Sequence, residues 1–595
     1  MTPNVADIFD AEANRLDRER TEHWQEVLAG ALEAVKKEPS DETARIRATN
    51  SLRKLRRNGE AISFLQEGLG SCTSAALHQR LAEMLAECNR TGEAIAAAQS
   101  GLRVFPSDVL LRMTEALLLP VLYDSPAEID RYRARFAAGL NRLCREIRLD
   151  TPHERLNALA ALGSHTNFYL GYQCRNDRDL QAEYGALAHR IMAASHPQWT
   201  RPLPMPPSPA GEPLRIGYVS ARFRDLSATR FFYGWLRGHD LSRIQVHAWH
   251  VSAQRDRATD AVASISHRFC HFPGAAGNEL LCHAAESIRS ANLHVLVFLD
   301  IGIDPVMTQL AALRLAPVQC MAWDQPITSG LPTVDYALSS DLAEPGNARD
   351  HYSEQLVRLP GVGVSYARPA IPWPLLRKTR RDFNLREGSI VYLCCQSVFK
   401  FLPQNDDVFV RIALRVPDSQ FVFLVTTAET GAALFERLDR AFRAANLRAH
   451  DHCVLLPQLK HLDYWNLHGV ADVFLDTIGW SSGGSVFEAV ACGVPVVTMP
   501  GEFMRGRQGF AILSQLGVAD TIASGKEGYI DSAIRLGLQD TLRRDVTARM
   551  ELGYPLLYSD PRSTRALEEF YRAAVESAAT PSNCRPSTSP LKETV

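Results

Sequence analysis

Apolar positions between residues 20 and 120 recur at spacings of three and four, in a sequence rich in alanine, leucine, glutamate and arginine, which predicts amphipathic helices. Residues 121–195 continue the helical pattern, and the run Asn167-Phe168-Tyr169-Leu170-Gly171-Tyr172-Gln173 reads as core. From His196 to Pro213 there are seven prolines in 18 residues. They remove backbone donors and block helix, so this stretch predicts a linker. Beyond it the period changes. Leu214 to Val219, Ile244 to Val251, Leu293 to Leu299, Pro317 to Trp323 and Gln355 to Leu359 read as strands, with helical stretches such as Glu279 to Ser290 between some of them. A second series runs through Ile390 to Leu393, Phe421 to Val425, Val454 to Leu456, Val473 to Leu475 and Val496 to Met499. Strands alternating with helices predict α/β units with covered parallel sheets, whose ligands bind beyond the carboxyl ends of the strands. The tail 579–595 is rich in serine, proline and threonine and predicts disorder.

The helical region carries a repeat. Asn58-Gly59-Glu60-Ala61-Ile62 returns as Thr91-Gly92-Glu93-Ala94-Ile95, and Gly68-Leu69 as Gly101-Leu102, each 33 residues on. Pro39-Ser40-Asp41 returns as Pro106-Ser107-Asp108 after 67. Three markers keep one register close to the 34-residue helix-turn-helix period of tetratricopeptide repeats, whose units stack to leave a concave surface. An irregular bundle with a chance echo is the competing reading.

Composition narrows the function. The 595 residues include 65 basic and 67 acidic side chains, so nothing supplies the strong counterion release of a nucleic-acid binder. The 12 cysteines contain no CxxC pair, which argues against a zinc ribbon or a disulfide framework. The acidic start Met1 to Asp10 is no signal peptide, and no run of 18 uncharged apolar residues suggests a membrane span. A cytoplasmic setting is expected.

The most informative segment is Leu475 to Ala489. A strand ends in the small-residue loop Asp476-Thr477-Ile478-Gly479-Trp480-Ser481-Ser482, and a helix starts near Gly484-Ser485. A helix start offers free N–H groups and a positive dipole end to an anion, and its glycines admit a diphosphate close to the backbone. Glu488 falls one turn into the helix, where a carboxylate can accept from a ribose diol. A tight turn with a capping serine would look the same. Lys400 follows the strand from Ile390 and is placed to meet a phosphate as a point charge, against the common alternative of a surface lysine. Arg505 and Arg507 lie just past another strand end, and one of them is a candidate phosphate partner. Asp177-Arg178-Asp179 spells a metal–sugar carboxylate pair but falls in the helical region, as a helix N-terminus would. In His450-Asp451-His452-Cys453 an extended strand points neighbours to opposite faces, so no single ion is ligated. No metal is expected; lysine and helix dipoles carry any phosphate.

On these residues the chain resembles the protein O-GlcNAc transferase family in its bacterial, SPINDLY-like branch, with the adhesin-modifying glucosyltransferases further off. The resemblance runs from about Leu214 to Ala574. It is carried by Arg215 to Ser220, Asp300 to Pro305, Leu313 to Gln319, Thr328 to Tyr336, His351 to Pro360, Lys400, Ala471 to Thr477, the Gly483-Gly484-Ser485 loop and Val497 to Gly501. It implies a GT-B-like pair of Rossmann-type domains preceded by an all-α, tetratricopeptide-like domain. The expected ranges are 15–120 for the repeats, 121–195 for a helical extension, 196–213 for the linker, 214–380 for an acceptor-side half and 381–578 for a nucleotide-sugar-binding half. It implies inverting, metal-independent transfer from a UDP-sugar to a protein side chain, with the repeats holding part of the acceptor. By motif position Lys400 meets the donor diphosphate with Gly483, Gly484 and Ser485, Glu488 meets the ribose, Gln396 lies one residue from a nucleotide-contacting glutamine, and Asp476 and Arg505 line the same site. His294 matches a histidine tied to activity.

One departure stands out. Leu226 occupies the place of a histidine the family carries after the first strand, one considered for acceptor activation. Asp300, Asp225 and His250 are the nearby candidates for a base. Three readings follow: GlcNAc transfer to Ser or Thr, the same scaffold with another sugar or acceptor such as UDP-glucose and asparagine, and a non-catalytic scaffold that retains nucleotide binding.

Overall fold

The computed structural model describes residues 5–207 and 211–579, with side chains from residue 21 onward. Val5–Lys37, Glu42–Lys54, Asn58–Ser71, Ala75–Glu87, Thr91–Val104 and Val109–Leu117 are successive packed helices. The repeated markers have physical work. Asp41 and Asp108 of the repeated Pro-Ser-Asp, and Ser74 one period after Asp41, each cap a helix by accepting the backbone N–H three residues on, at 2.9, 2.8 and 3.1 Å. The repeated Gly-Leu marks close helix contact: a Cβ at Gly68 would fall 2.2 Å from Arg45 Cδ, and one at Gly101 2.8 Å from Leu111 Cδ1.

The helices Pro126–Glu146, Pro152–Leu162 and Arg178–Ser195 follow and pack on a seven-stranded parallel sheet. Its strands are β1 (Leu214–Ser220), β2 (Ile244–His250), β3 (Arg268–His271), β4 (Val295–Phe298), β5 (Val318–Met321), β6 (Tyr336–Ser340) and β7 (Gln355–Leu359), in the order β3-β2-β1-β4-β5-β6-β7. Strand periodicity divides the two cores. Val219, Trp249 and Phe298 face the helical extension, while Ile216, Tyr218, Val246 and Val297 face the opposite layer. The second sheet, β8 (Ile390–Cys394), β9 (Ser419–Val425), β10 (Cys453–Pro457), β11 (Val473–Leu475) and β12 (Val496–Val497), is also parallel, in the order β10-β9-β8-β11-β12.

The helical region is fixed to the second sheet's layer by the buried Arg437. It donates to both carboxylate oxygens of Asp406 at 2.8 and 2.9 Å and to the Tyr123 carbonyl at 2.7 Å.

Three details differ from the sequence expectation. The helix Arg562–Ala579 falls inside the range assigned to the second half yet packs on the first. There Tyr571 Oη meets Tyr218 Oη at 3.0 Å, and Glu568 meets His239 Nδ1 at 3.0 Å. The segment read as extended at 450–452 is the helical turn Ala449–His452, and β10 begins only at Cys453. Strands β3 and β6 had no counterpart in the reading. The expected tail lies outside the described residues apart from Ala579.

Candidate active site

The helices that follow β1, β10 and β11 line a cavity of about 720 Å³ between the two halves. Thr229 and Arg230 approach from the first half, His461, Trp465 and Glu488 from the second, and Ser365 to Ala370 join them at the side.

Asp476, at the end of β11, organises the second half's contribution. Its buried carboxylate accepts from Ser481 Oγ at 2.6 Å, Thr498 Oγ1 at 2.7 Å and the Ser482 N–H at 2.8 Å. These bonds fold the loop back so that the helix Gly483–Ala491 starts beside it, with no side-chain cap. Asp476 is thus a carboxylate that shapes the loop. A Cβ at Gly483 would fall 1.7 Å from Gln508 Oε1 and 3.0 Å from Phe231 Cζ, so glycine lets these side chains pack directly on the helix start. Gly484 and the half-buried Ser485 follow at the same open end.

Lys400 ends the turn Val398–Lys400 after β8, the strand that pairs with β11. Burial pushes its ammonium down to about 8, while the nearby Asp476 pulls the other way. Gln396 donates to the Leu475 carbonyl at 3.2 Å, and its Oε1 is buried without a partner, as are Thr477 Oγ1 and Ser482 Oγ. Buried polar atoms are nearly always paired. Several orphans on adjacent strand ends beside a lysine and an uncapped helix start form a cradle suited to a polar, anionic group.

Glu488 sits one turn into the helix as expected, but its carboxylate is already engaged. Arg230 Nη1 donates to Oε1 at 2.7 Å from across the cavity, and His461 Nε2 lies 3.6 Å from the same oxygen. Arg230 is held in turn by Asp225 at 3.0 Å. Neither Arg230 nor His461 was singled out in the sequence, although both follow strand ends.

Two expected residues lie elsewhere. Arg505 does not face the cradle: it is buried, donates to Asp177 Oδ2 at 3.1 Å and packs 4.2 Å over the Phe503 ring. Asp177, the N-cap of Arg178–Ser195, also accepts from Arg133 at 2.8 Å, so the pair locks the helical extension to the second half. His294 precedes β4, at the amino end of the sheet, and its Nδ1 accepts from the Arg215 N–H at 3.0 Å. Six residues of extended chain separate it from Asp300, about 20 Å along the strand direction. Arg507 is likewise structural, donating to the Ala343 carbonyl at 3.0 Å. His250 is held between two backbone carbonyls, with Nε2 2.7 Å from that of Gln254. Leu226 precedes the helix Ser227–Gly238, and Asp225 beside it is exposed.

Asp300 is buried at the carboxyl end of β4 and accepts from the Ala221 N–H at 3.1 Å. Beside it stands Asp324, just past β5, which the sequence reading passed over. Arg222, just past β1, brings Nε to 3.2 Å from Asp324 Oδ2. Nearby, Phe168, Tyr169 and Tyr172 of the helical extension reach between the halves. Tyr172 stacks on Trp480 at 3.9 Å and meets Phe399, the neighbour of Lys400, at 4.4 Å. The run read as core is buried as expected, and the part of its core around Tyr172 lies between the two halves.

Two facing parallel-sheet halves with a polar cradle at the carboxyl ends of the strands on one side of the cleft are an arrangement in which α/β folds hold their ligands. The chain belongs to glycosyl transferase family 41, whose sequence profile matches residues 155–363 and 366–553, more than half of it. Among known proteins it is similar to the probable UDP-N-acetylglucosamine–peptide N-acetylglucosaminyltransferase SPINDLY of Solanum lycopersicum, at 26% identity over 61% of this chain and 38% of that one. The SPINDLY protein of Oryza sativa is 28% identical over 62% of this chain and 39% of its own. The chain thus spans about two fifths of the length of these curated relatives. Its fold matches the solved structure of a Thermobaculum terrenum O-GlcNAc transferase mutant with a TM-score of 0.67 at 20% identity, covering 97% of this chain and 99% of that one. No helix among the described residues is long and apolar enough to cross a membrane, and none of their His, Cys, Asp and Glu side chains cluster in threes to hold a metal ion.

Proposed function

We propose that this protein moves a sugar, GlcNAc before others, from a UDP-sugar to a serine or threonine hydroxyl of a protein, with inversion and without a metal. The observation that carries the reading is the cradle: Lys400 beside the open helix start at Gly483, Gly484 and Ser485, with the buried Asp476 fixing the loop. As the hydroxyl attacks the anomeric carbon, the bond to the diphosphate breaks and negative charge grows on the leaving phosphate. Donors already aimed at that charge lower the barrier, each by about 2.7–4 kcal/mol. Glu488, oriented by Arg230, takes the ribose diol through its remaining oxygen. The repeats bind part of the acceptor protein, which supplies binding energy remote from the reacting atoms.

Calorimetric titration of UDP, UDP-GlcNAc, UDP-glucose and GDP against wild type and Lys400→Ala tests this. Uridine-selective binding that collapses in the variant is the expected result. Absence of binding by folded wild-type protein would refute it. The scaffold reading rests on Leu226, and sugar transfer in the presence of EDTA would eliminate it.

A further inference from the structure

The residues after β1, β4 and β5 place two carboxyl groups and one guanidinium together on the first half's side of the cleft. Met321 of β5 pairs with Phe298 of β4, and the Asp324 N–H donates to the Leu299 carbonyl at 3.3 Å, so Asp324 and Asp300 extend side by side from neighbouring strands. Both side chains are buried, Asp324 with 1% of its side chain exposed. Apart from the ion pair of Asp324 with Arg222, neither oxygen of Asp324 nor Oδ1 of Asp300 has a hydrogen-bond partner. Arg222 covers the pair from the cleft side, with 27% of its side chain exposed, and Nη2 donates to Ser227 Oγ at 3.3 Å.

An orphaned, buried carboxylate is costly unless it has a function or a proton. Two such groups beside one guanidinium cannot both stay charged and unpaired, and like carboxyl groups in one site share a proton. Burial raises both groups above the usual carboxylate range; the charges of Asp324 and Asp304 add to the rise at Asp300, and Arg222 opposes it at both. Tyr172 is the phenol that senses both Asp324 and Arg222.

We propose that Asp324, paired with a protonated Asp300 and held by Arg222, accepts the proton of the acceptor hydroxyl. The inference rests on the transferase reading above and supplies the base that Leu226 cannot be. In the step, the acceptor oxygen forms its bond to the anomeric carbon and the carbon–oxygen bond to the diphosphate breaks. UDP leaves with that electron pair, and the hydroxyl proton passes to the Asp324 carboxylate as Arg222 swings aside. Asp300 acts as a positioning residue: its proton donates to Asp324 and keeps the partner ionised.

The test uses the full chain, UDP-GlcNAc and a mixed library of serine- and threonine-bearing peptides. Asp324→Asn is expected to lower turnover by about 100-fold or more, the range of a general base, and to leave the UDP dissociation constant within about twofold. Asp300→Asn keeps a neutral donor beside Asp324 and is expected to retain turnover within about tenfold, whereas Asp300→Ala removes the donor and is expected to move the acidic limb of the kcat–pH profile to higher pH. Wild-type-like turnover in Asp324→Asn, or an unmoved limb in Asp300→Ala, overturns the proposal. Should Asp324→Asn fail to fold, the Asp300→Ala profile still decides. Wild-type protein that binds UDP and transfers no sugar refutes the function itself, a result distinct from an active Asp324→Asn.

Discussion

Arg230 and Glu488 join the two halves across the cleft, Nη1 to Oε1 at 2.7 Å. The ion pair uses one carboxylate oxygen, and the other is the one proposed above to take the ribose diol. Replacing Arg230 with methionine removes that orientation. UDP is expected to bind about three- to tenfold more weakly, corresponding to roughly 1 kcal/mol for a hydrogen bond to a partly solvated charge. The loss should shrink when the probe is 2′,3′-dideoxy-UDP, which has no diol to place. Equal losses for both nucleotides by calorimetry would make Arg230 a scaffold contact instead.

On the proposed role of Lys400, donor binding has a basic limit. Its pKa near 8 means the ammonium is partly neutral in mildly alkaline solution. UDP affinity should fall as pH rises from about 7.5 to 9.5, and the fall should be absent in Lys400→Arg, whose guanidinium stays charged. Stability follows the opposite sign. The unfolded lysine keeps its proton to about 10.4, so between about 8 and 10.4 the unfolded state binds more protons and the free protein gains stability with pH. Denaturant titrations at several pH values, compared with Lys400→Ala, check this.

Arg505 and Asp177 are both almost wholly buried, at 4% and 2% of their side chains. Breaking such a pair by Arg505→Met leaves Asp177 with Arg133 alone and is expected to cost about 3–5 kcal/mol in chemical denaturation. UDP affinity in the folded protein should stay within about twofold, because the guanidinium faces the helical extension and not the cradle. A selective loss of UDP binding with unchanged stability would return Arg505 to the donor site.

His294 is a stability residue in the same sense. Burial pushes its pKa down to about 4. The unfolded histidine titrates near 6.5, so stability is complete above that value and is lost as pH falls from about 6.5 towards 4. His294→Asn should flatten this part of the stability profile and leave kcat unchanged at pH 7.5. A large fall in kcat with normal stability would be the contrary outcome.

The strands legible in the sequence were those with strong apolar character and coverage on both faces, such as Phe421 to Val425. Strand β3 was missed because Arg268–His271 is a half-buried edge with polar residues, and β6 because Tyr336–Ser340 ends in two serines that read as a turn. At the candidate site, the place of Lys400 after a strand and of Gly483–Ser485 at a helix start was legible because both are local features. The Arg230–Glu488 and Arg222–Asp324 pairs were not, since each joins residues distant in sequence. The surroundings of Arg505 and His294 were hidden for the same reason. A motif position shows residue type, whereas the end of the sheet and the buried partner determine what the side chain meets.

The helix Arg562–Ala579 also dictates when the molecule can be finished. It covers Tyr218 and His239 of the first sheet's layer, yet the ribosome makes it after both sheets have emerged. Until then the part of the first sheet's core that this helix covers is open to water, so the first half cannot complete its folding ahead of the second. The repeats, built from neighbouring contacts, face no such delay. A chain cut between the halves would leave the amino-terminal fragment with that apolar face exposed, which makes the two sheets a single unit of synthesis and quality control despite their separate hydrogen-bond networks.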